Sequence, residues 1–150
     1  PVSDRDYWDR RDPALLQRLL QWCDEACAND PDDPNRLYPE LIEGVPMTKR
    51  RIRALMSRLG EDDYFSMDMT DEERTAKLPT FNLSCPMLAL FSGADEYFPY
   101  GPAELARLMA SFERCWSVNC KLLPGARHAL DEPGDLFGII GSFVSNLLNQ

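Results

Sequence analysis

Two residues of this sequence have the types and spacing for chemistry: Asp95 and the only histidine, His128. Asp95 lies in Ser92-Gly93-Ala94-Asp95-Glu96-Tyr97-Phe98-Pro99, and His128 closes Pro124-Gly125-Ala126-Arg127-His128. A carboxylate accepting the imidazole Nδ1–H fixes the tautomer and stabilises the imidazolium, which is the geometry a general base needs. Taken singly, neither residue is distinctive. An Asp after a strand is most often a turn former, and a lone His most often a hydrogen-bonded structural residue. Only as a matched pair on a suitable scaffold do they point to catalysis.

The flanking sequence predicts that scaffold. Pro86-Met-Leu-Ala-Leu-Phe91 is a continuous apolar run cut off by Ser92-Gly93, as expected for a strand buried on both faces of a parallel sheet. Gly101-Pro102 opens a helix with Leu105, Leu108, Met109 and Phe112 on one side. Val118, Cys120 and Leu122 alternate with Asn119 and Lys121, predicting a strand nearer the sheet edge that Pro124-Gly125 stops. A last helix, roughly 135–148, is expected to bury Leu136, Ile140, Phe143 and Leu147, with Phe137, Val144 and Leu148 beside them. Strand, helix, strand, helix is a right-handed parallel unit of an α/β protein. In such sheets functional groups gather in loops at the carboxyl ends of the strands, so Asp95 and His128 leave on one edge. The 33-residue separation suits one helix and one strand between them. Two strands do not make a sheet that stands alone, so part of the sheet is expected elsewhere.

Residues 1–80 have another texture: charged, proline-punctuated and helical. Asp12-Pro13 is a cap and first-turn pair, followed by Leu16, Leu19, Leu20, Cys23 and Cys27 on one face of a helix from about 13 to 28. Asn29 to Asn35 is a loop. A second helix starts near Thr48, with Ile52, Leu55, Met56 and Leu59 inward, Lys49, Arg50, Arg51 and Arg53 largely outward, and Gly60 at its end. An irregular polar stretch over 61–70 leads into a short helix at 71–77.

Composition narrows the partners. The chain of 150 residues has room for one domain, and 44% hydrophobic residues allow a packed core. A net charge of −9 argues against nucleic acid or an anionic membrane as the main partner. No uncharged stretch is long and apolar enough to span a bilayer. Five cysteines without framework spacing, and no signal-peptide pattern, predict reduced thiols and a cytoplasmic location. No organic cofactor or metal is expected. Cys23 and Cys27 have no further ligand nearby, and Glu61, Asp62, Asp63 and Asp68 lack the alternation and central glycine of a calcium loop. Asn82-Leu83-Ser84 is a chance sequon, and Tyr97, Phe98 and Tyr100 either line a pocket or pack as core.

Leu90-Phe-Ser-Gly-Ala-Asp95-Glu-Tyr-Phe-Pro99 followed by Leu123-Pro-Gly-Ala-Arg-His128 resembles the acid and histidine segments of the α/β-hydrolase fold. With Pro1-Val-Ser-Asp-Arg5, Val45-Pro-Met-Thr48 and Asp62-Asp-Tyr-Phe-Ser66 leading to Asp68 and Thr70-Asp71-Glu72, the chain is similar to a largely fungal family whose characterised members are siderophore esterases, acting on fusarinine-type ferric chelators. The resemblance implies that Asp95 is the triad acid and His128 the base. It also implies that residues 1–80 are the end of a core strand plus a helical cap, and 81–150 the last two strands and helices of the core. Chain order in that fold is nucleophile, acid, histidine. No serine here sits in Gly-x-Ser-x-Gly: Ser92 has Leu90 two before it, Ser142 has Ile140, and Ser66 has Tyr64. The expectation is therefore a carboxyl-terminal portion of a serine esterase, inactive by itself, whose partner is the missing amino-terminal half of the core and whose substrate is a small ester. Two rival readings remain: a non-catalytic hydrolase-derived interaction module, and one half of a split hydrolase.

Overall fold

A computed structural model describes residues 3–29, 33–77, 86–116, 118–130 and 135–149. The chain divides into two compact units, one of residues 2–66 and one built from 67–150 together with Pro1.

The first unit is helical. Ser3 is extended and caps α1 (Asp4–Arg11), its hydroxyl accepting the Asp6 N–H at 3.3 Å. Asp4 and Asp6 lie in the first turn of α1 and Arg10 and Arg11 in the last, matching the helix dipole at both ends. The sequence reading lacks this helix, because its face carries too few apolar residues to show a period; the cap and the charge order were the available signal. Asp4 and Arg5, in the Pro1–Arg5 segment that the resemblance places at the exit of a core strand, are thus helical, and Pro1 and Val2 lie outside the described residues. Asp12 then accepts the Leu15 N–H at 2.9 Å and opens α2 (Pro13–Asn29), close to the expected helix. Its Leu16, Leu19 and Cys23 pack with Trp8, Ile42, Ile52, Leu55 and Met56 as the unit's core.

Thr48 caps α3 (Lys49–Met56) by accepting the Arg51 N–H at 3.2 Å, an interaction that contributes about 1 kcal/mol. Two expectations fail here. Lys49 is buried, not outward: with Ile52 and Met56 it falls at i, i+3, i+7 on the inner stripe. Leu59 is 38% exposed, because α3 stops at Met56 and Leu59 takes a left-handed φ of 58° that turns it out. Gly60 ends the turn by close approach, since a β-carbon there would lie 2.4 Å from the Ala54 carbonyl oxygen.

The second unit is α/β. Thr70 and Glu73 form a reciprocal capping box, at 2.9 and 3.2 Å, for α4 (Asp71–Lys77). Then follow β1 (Leu88–Ser92), α5 (Pro102–Trp116), β2 (Asn119–Leu123) and α6 (Leu136–Leu148). The strands pair in parallel, in register from Leu88 opposite Asn119 to Ser92 opposite Leu123. Asp71 ties α4 to α5: the Ser111 hydroxyl donates to it at 2.7 Å and Arg114 through Nε and a terminal nitrogen at 3.0 and 2.9 Å. The Ser111 bond, then Arg114, hold the Asp71 carboxyl below its usual range. Inside, Phe91 meets Phe112 edge-on at 5.4 Å, and Phe112 meets Trp116 at 4.3 Å.

Three expectations change in this unit. β1 begins two residues later than the apolar run and is fully buried only at Phe91 and Ser92. In β2, Leu122 is exposed although it shares a pleat face with buried Cys120, and Leu123 at the strand exit is buried. No residue of α6 is buried; Leu136, Phe143 and Leu147 are half-buried, and Phe137, Ile140, Val144 and Leu148 are exposed. Two strands about 4.8 Å apart offer a face narrower than the ~10 Å α6 helix, which packs only loosely against the other elements. A cavity of about 390 Å³ lies between them, lined by Leu88, Asn119, Lys121, Ile139 and Phe143.

Cys23, Cys115 and Cys120 are free thiols, and burial, followed by the charge of Glu113, pushes Cys120 up to about 11. At pH 8 only about one Cys120 in a thousand is then ionised. Iodoacetamide should leave Cys120 unmodified in the native protein and label it after denaturation, as read by peptide mass spectrometry. Cys85 and the Cys27 side chain lie outside the described residues, as does the Asn82 sequon. Among the described residues no helix is long and apolar enough to cross a membrane.

Candidate functional site

The loops leaving β1 and β2 are joined by backbone bonds that continue the ladder past the strands. The Gly93 N–H donates to the Leu123 carbonyl and the Ala94 N–H to the Ala126 carbonyl, both at 2.9 Å. Gly93 lets the loops approach closely, because a β-carbon there would crowd the Leu123 oxygen at 3.0 Å and the Pro124 Cα at 3.2 Å. Gly125 supplies a left-handed φ of 75° where the second loop turns.

This junction brings together the two residues singled out from sequence. His128 Nδ1 lies 3.0 Å from Asp95 Oδ2 and 3.2 Å from Oδ1. The Asp95 side chain is 2% exposed and the imidazole 47% exposed, so a shielded carboxylate backs a ring that solutes can reach. Asp95 Oδ1 also accepts the Tyr97 N–H at 3.0 Å, which fixes the carboxylate through its own turn. The Tyr97 ring stands edge-on to the imidazole, with centroids 5.0 Å apart.

Glu96 is the residue that sequence reasoning passed over. Its Oε2 accepts the His128 N–H at 3.0 Å, and its Oε1 lies 3.6 Å from an Arg127 guanidinium nitrogen. The His128 amide is the main reason the Glu96 carboxyl sits below its usual range, with Arg127 assisting. Adjacency to Asp95 was its only signal. The aromatic trio divides: Tyr97 faces His128, while Phe98 and Tyr100 meet each other at 5.4 Å.

The other candidates are occupied structurally. Glu61 pairs with Arg50 at 3.2 Å and Asp62 with Arg51, so the basic helix face and the acidic loop largely neutralise each other. Asp63 is buried and accepts the Ser66 hydroxyl and, at 3.0 Å, the Leu59 N–H. Ser66 is also bonded to Ser3 at 2.8 Å, deep in the helical unit. Among the described residues, no group of three or more His, Cys, Asp or Glu is placed to hold a metal ion, and no serine hydroxyl bonds to His128.

Fold and site together define an α/β chain that presents a carboxylate–imidazole pair at the carboxyl ends of two parallel strands. The chain belongs to the family described as "Protein of unknown function (DUF1749)", whose family model matches residues 1–138. No curated protein and no solved structure matches it.

Proposed function

We propose that this chain carries the acid and the base of a serine-dependent α/β-hydrolase, an esterase for a siderophore-type or related secondary-metabolite ester. The carrying observation is the Asp95–His128 pair, held at 3.0 and 3.2 Å where two parallel strands end. In this reading the serine and the oxyanion-hole amides come from residues beyond these 150, because no serine here has the required motif. His128 takes the serine proton as the oxygen attacks the ester carbonyl, then gives it to the departing alcohol. In the second half His128 takes a proton from water as its oxygen attacks the acyl-serine, then returns that proton to the departing serine oxygen, releasing the acid and restoring the serine hydroxyl. Asp95 stays ionised throughout and stabilises the imidazolium. The open α6 stripe and the two-stranded sheet support a core continued by further strands. The ester class rests on the sequence resemblance alone.

The test is fluorophosphonate labelling of the protein purified from its native source, with hydrolysis of p-nitrophenyl acetate and of a ferric tris-hydroxamate triester. Labelling of a Gly-x-Ser-x-Gly serine, together with cleavage of both esters, is expected. A folded protein that neither labels nor hydrolyses them overturns the reading. The exposed Phe137, Ile140, Val144 and Leu148 then favour the second reading, an interaction module without catalysis.

A further inference from the structure

The pair at the strand exits has a restraint that acts on the histidine from its backbone side. His128 follows the turn at Gly125 and is half-exposed, so nothing in its own packing fixes the ring as firmly as burial fixes Asp95. Rotating the His128 peptide would swing Nδ1 off the carboxylate without touching Asp95. Its N–H, however, is held at 3.0 Å by Glu96 Oε2. The same carboxylate lies beside Arg127, the residue before the histidine. Adjacent residues of one loop therefore hold the histidine at two points, Asp95 at the ring and Glu96 at the main chain. A bond from a charged acceptor to a backbone amide is among the stronger neutral-donor bonds, and two attachment points leave the ring little freedom about the main chain.

We propose that Glu96 is a positioning residue for His128, its carboxylate fixing the His128 backbone so that Nδ1 stays on Asp95. The proposal rests on the reading of His128 as a general base. Glu96 contacts no reacting atom in that scheme; it acts through the histidine.

The sequence simplifies the test, because these 150 residues carry a single imidazole, that of His128. Two quantities are read: which ring nitrogen carries the proton in the neutral form, and the exchange rate of Nδ1–H with solvent. Wild type is expected to show one tautomer, protonated at Nδ1, with a slowly exchanging proton. Glu96→Ala should mix the tautomers and speed exchange at least about tenfold. Glu96→Gln keeps an acceptor while removing the charge, and should stay within about twofold of wild type. Arg127→Ala cuts only the ion pair and should also leave both readings in place. An alanine variant indistinguishable from wild type overturns the proposal. So does a glutamine variant as perturbed as alanine, which would make the effect one of charge, or an Arg127→Ala variant as perturbed as Glu96→Ala, which would move the role to the ion pair. Glu96→Met is close to glutamate in size but offers no oxygen acceptor, so it repeats the test if Glu96→Ala does not fold: mixed tautomers and faster exchange are expected, and wild-type readings overturn the proposal. Asp95→Asn separates this from failure of the functional reading. If it leaves the wild-type tautomer unchanged, the acid–histidine pair does not operate and both claims fall. If it shifts the tautomer while Glu96→Ala does not, only the positioning role falls.

Discussion

On the proposed esterase reading, His128→Ala is expected to slow ester hydrolysis by about 10⁶-fold, because triad members act as a unit and loss of the base removes nearly all of their joint contribution. Asp95→Asn keeps the shape of the acid but offers an amide to Nδ1, which favours the wrong tautomer; a loss of about 10⁴-fold in kcat is expected. The double variant should be no slower than His128→Ala, since Asp95 has no task once the imidazole is gone. The measurement is kcat on one ester for the three variants, in the protein that carries the nucleophile. With one histidine in the sequence, no other imidazole in this chain can stand in. Rates unchanged by both single substitutions would remove Asp95 and His128 from the chemistry while leaving their observed contact in place.

Phe91→Ala is expected to destabilise the protein by about 3–5 kcal/mol, the range for deleting a fully buried aromatic ring. Phe91 has no exposed surface and lies against the Phe112 ring, so transfer energy, a residual cavity and an edge-to-face contact are all lost together. Leu122→Ala, on the neighbouring strand but 42% exposed, is the control and should cost under about 1 kcal/mol. Urea unfolding reads both, as a shift in midpoint at constant slope. Equal effects of the two substitutions would show that the observed burial does not describe the working protein.

The strands and helices nearest the site were legible because their sequence patterns follow simple periods. The apolar run ending at Phe91, the alternation from Val118 to Cys120 and the Gly101-Pro102 helix start each lie within two residues of the observed element. The meeting of Asp95 with His128 followed from parallel strands sharing an exit edge. Other features depend on contacts that no local pattern encodes. Lys49 is buried because of where α3 lies, against its chemical type, and the α6 face is open because its burial depends on what covers the sheet. Glu96 holds an amide 32 residues away, a contact that requires both loops in place. Leu122, which the alternation grouped with Val118 and Cys120, is exposed, because the alternation ends where the strand turns into a loop.

The loop bonds of Gly93 and Ala94 make the site a gauge of strand alignment. Sliding β1 by one residue along β2 would displace Asp95 by about 3.3 Å relative to the imidazole and turn successive side chains to the opposite face. It would also misplace the Gly93 and Ala94 amides against the Leu123 and Ala126 carbonyls. No intermediate alignment supplies half of the geometry. A chain that mispairs its strands, however compact, has no acid–imidazole pair at all, so the state of this one histidine reports whether the two strands are aligned.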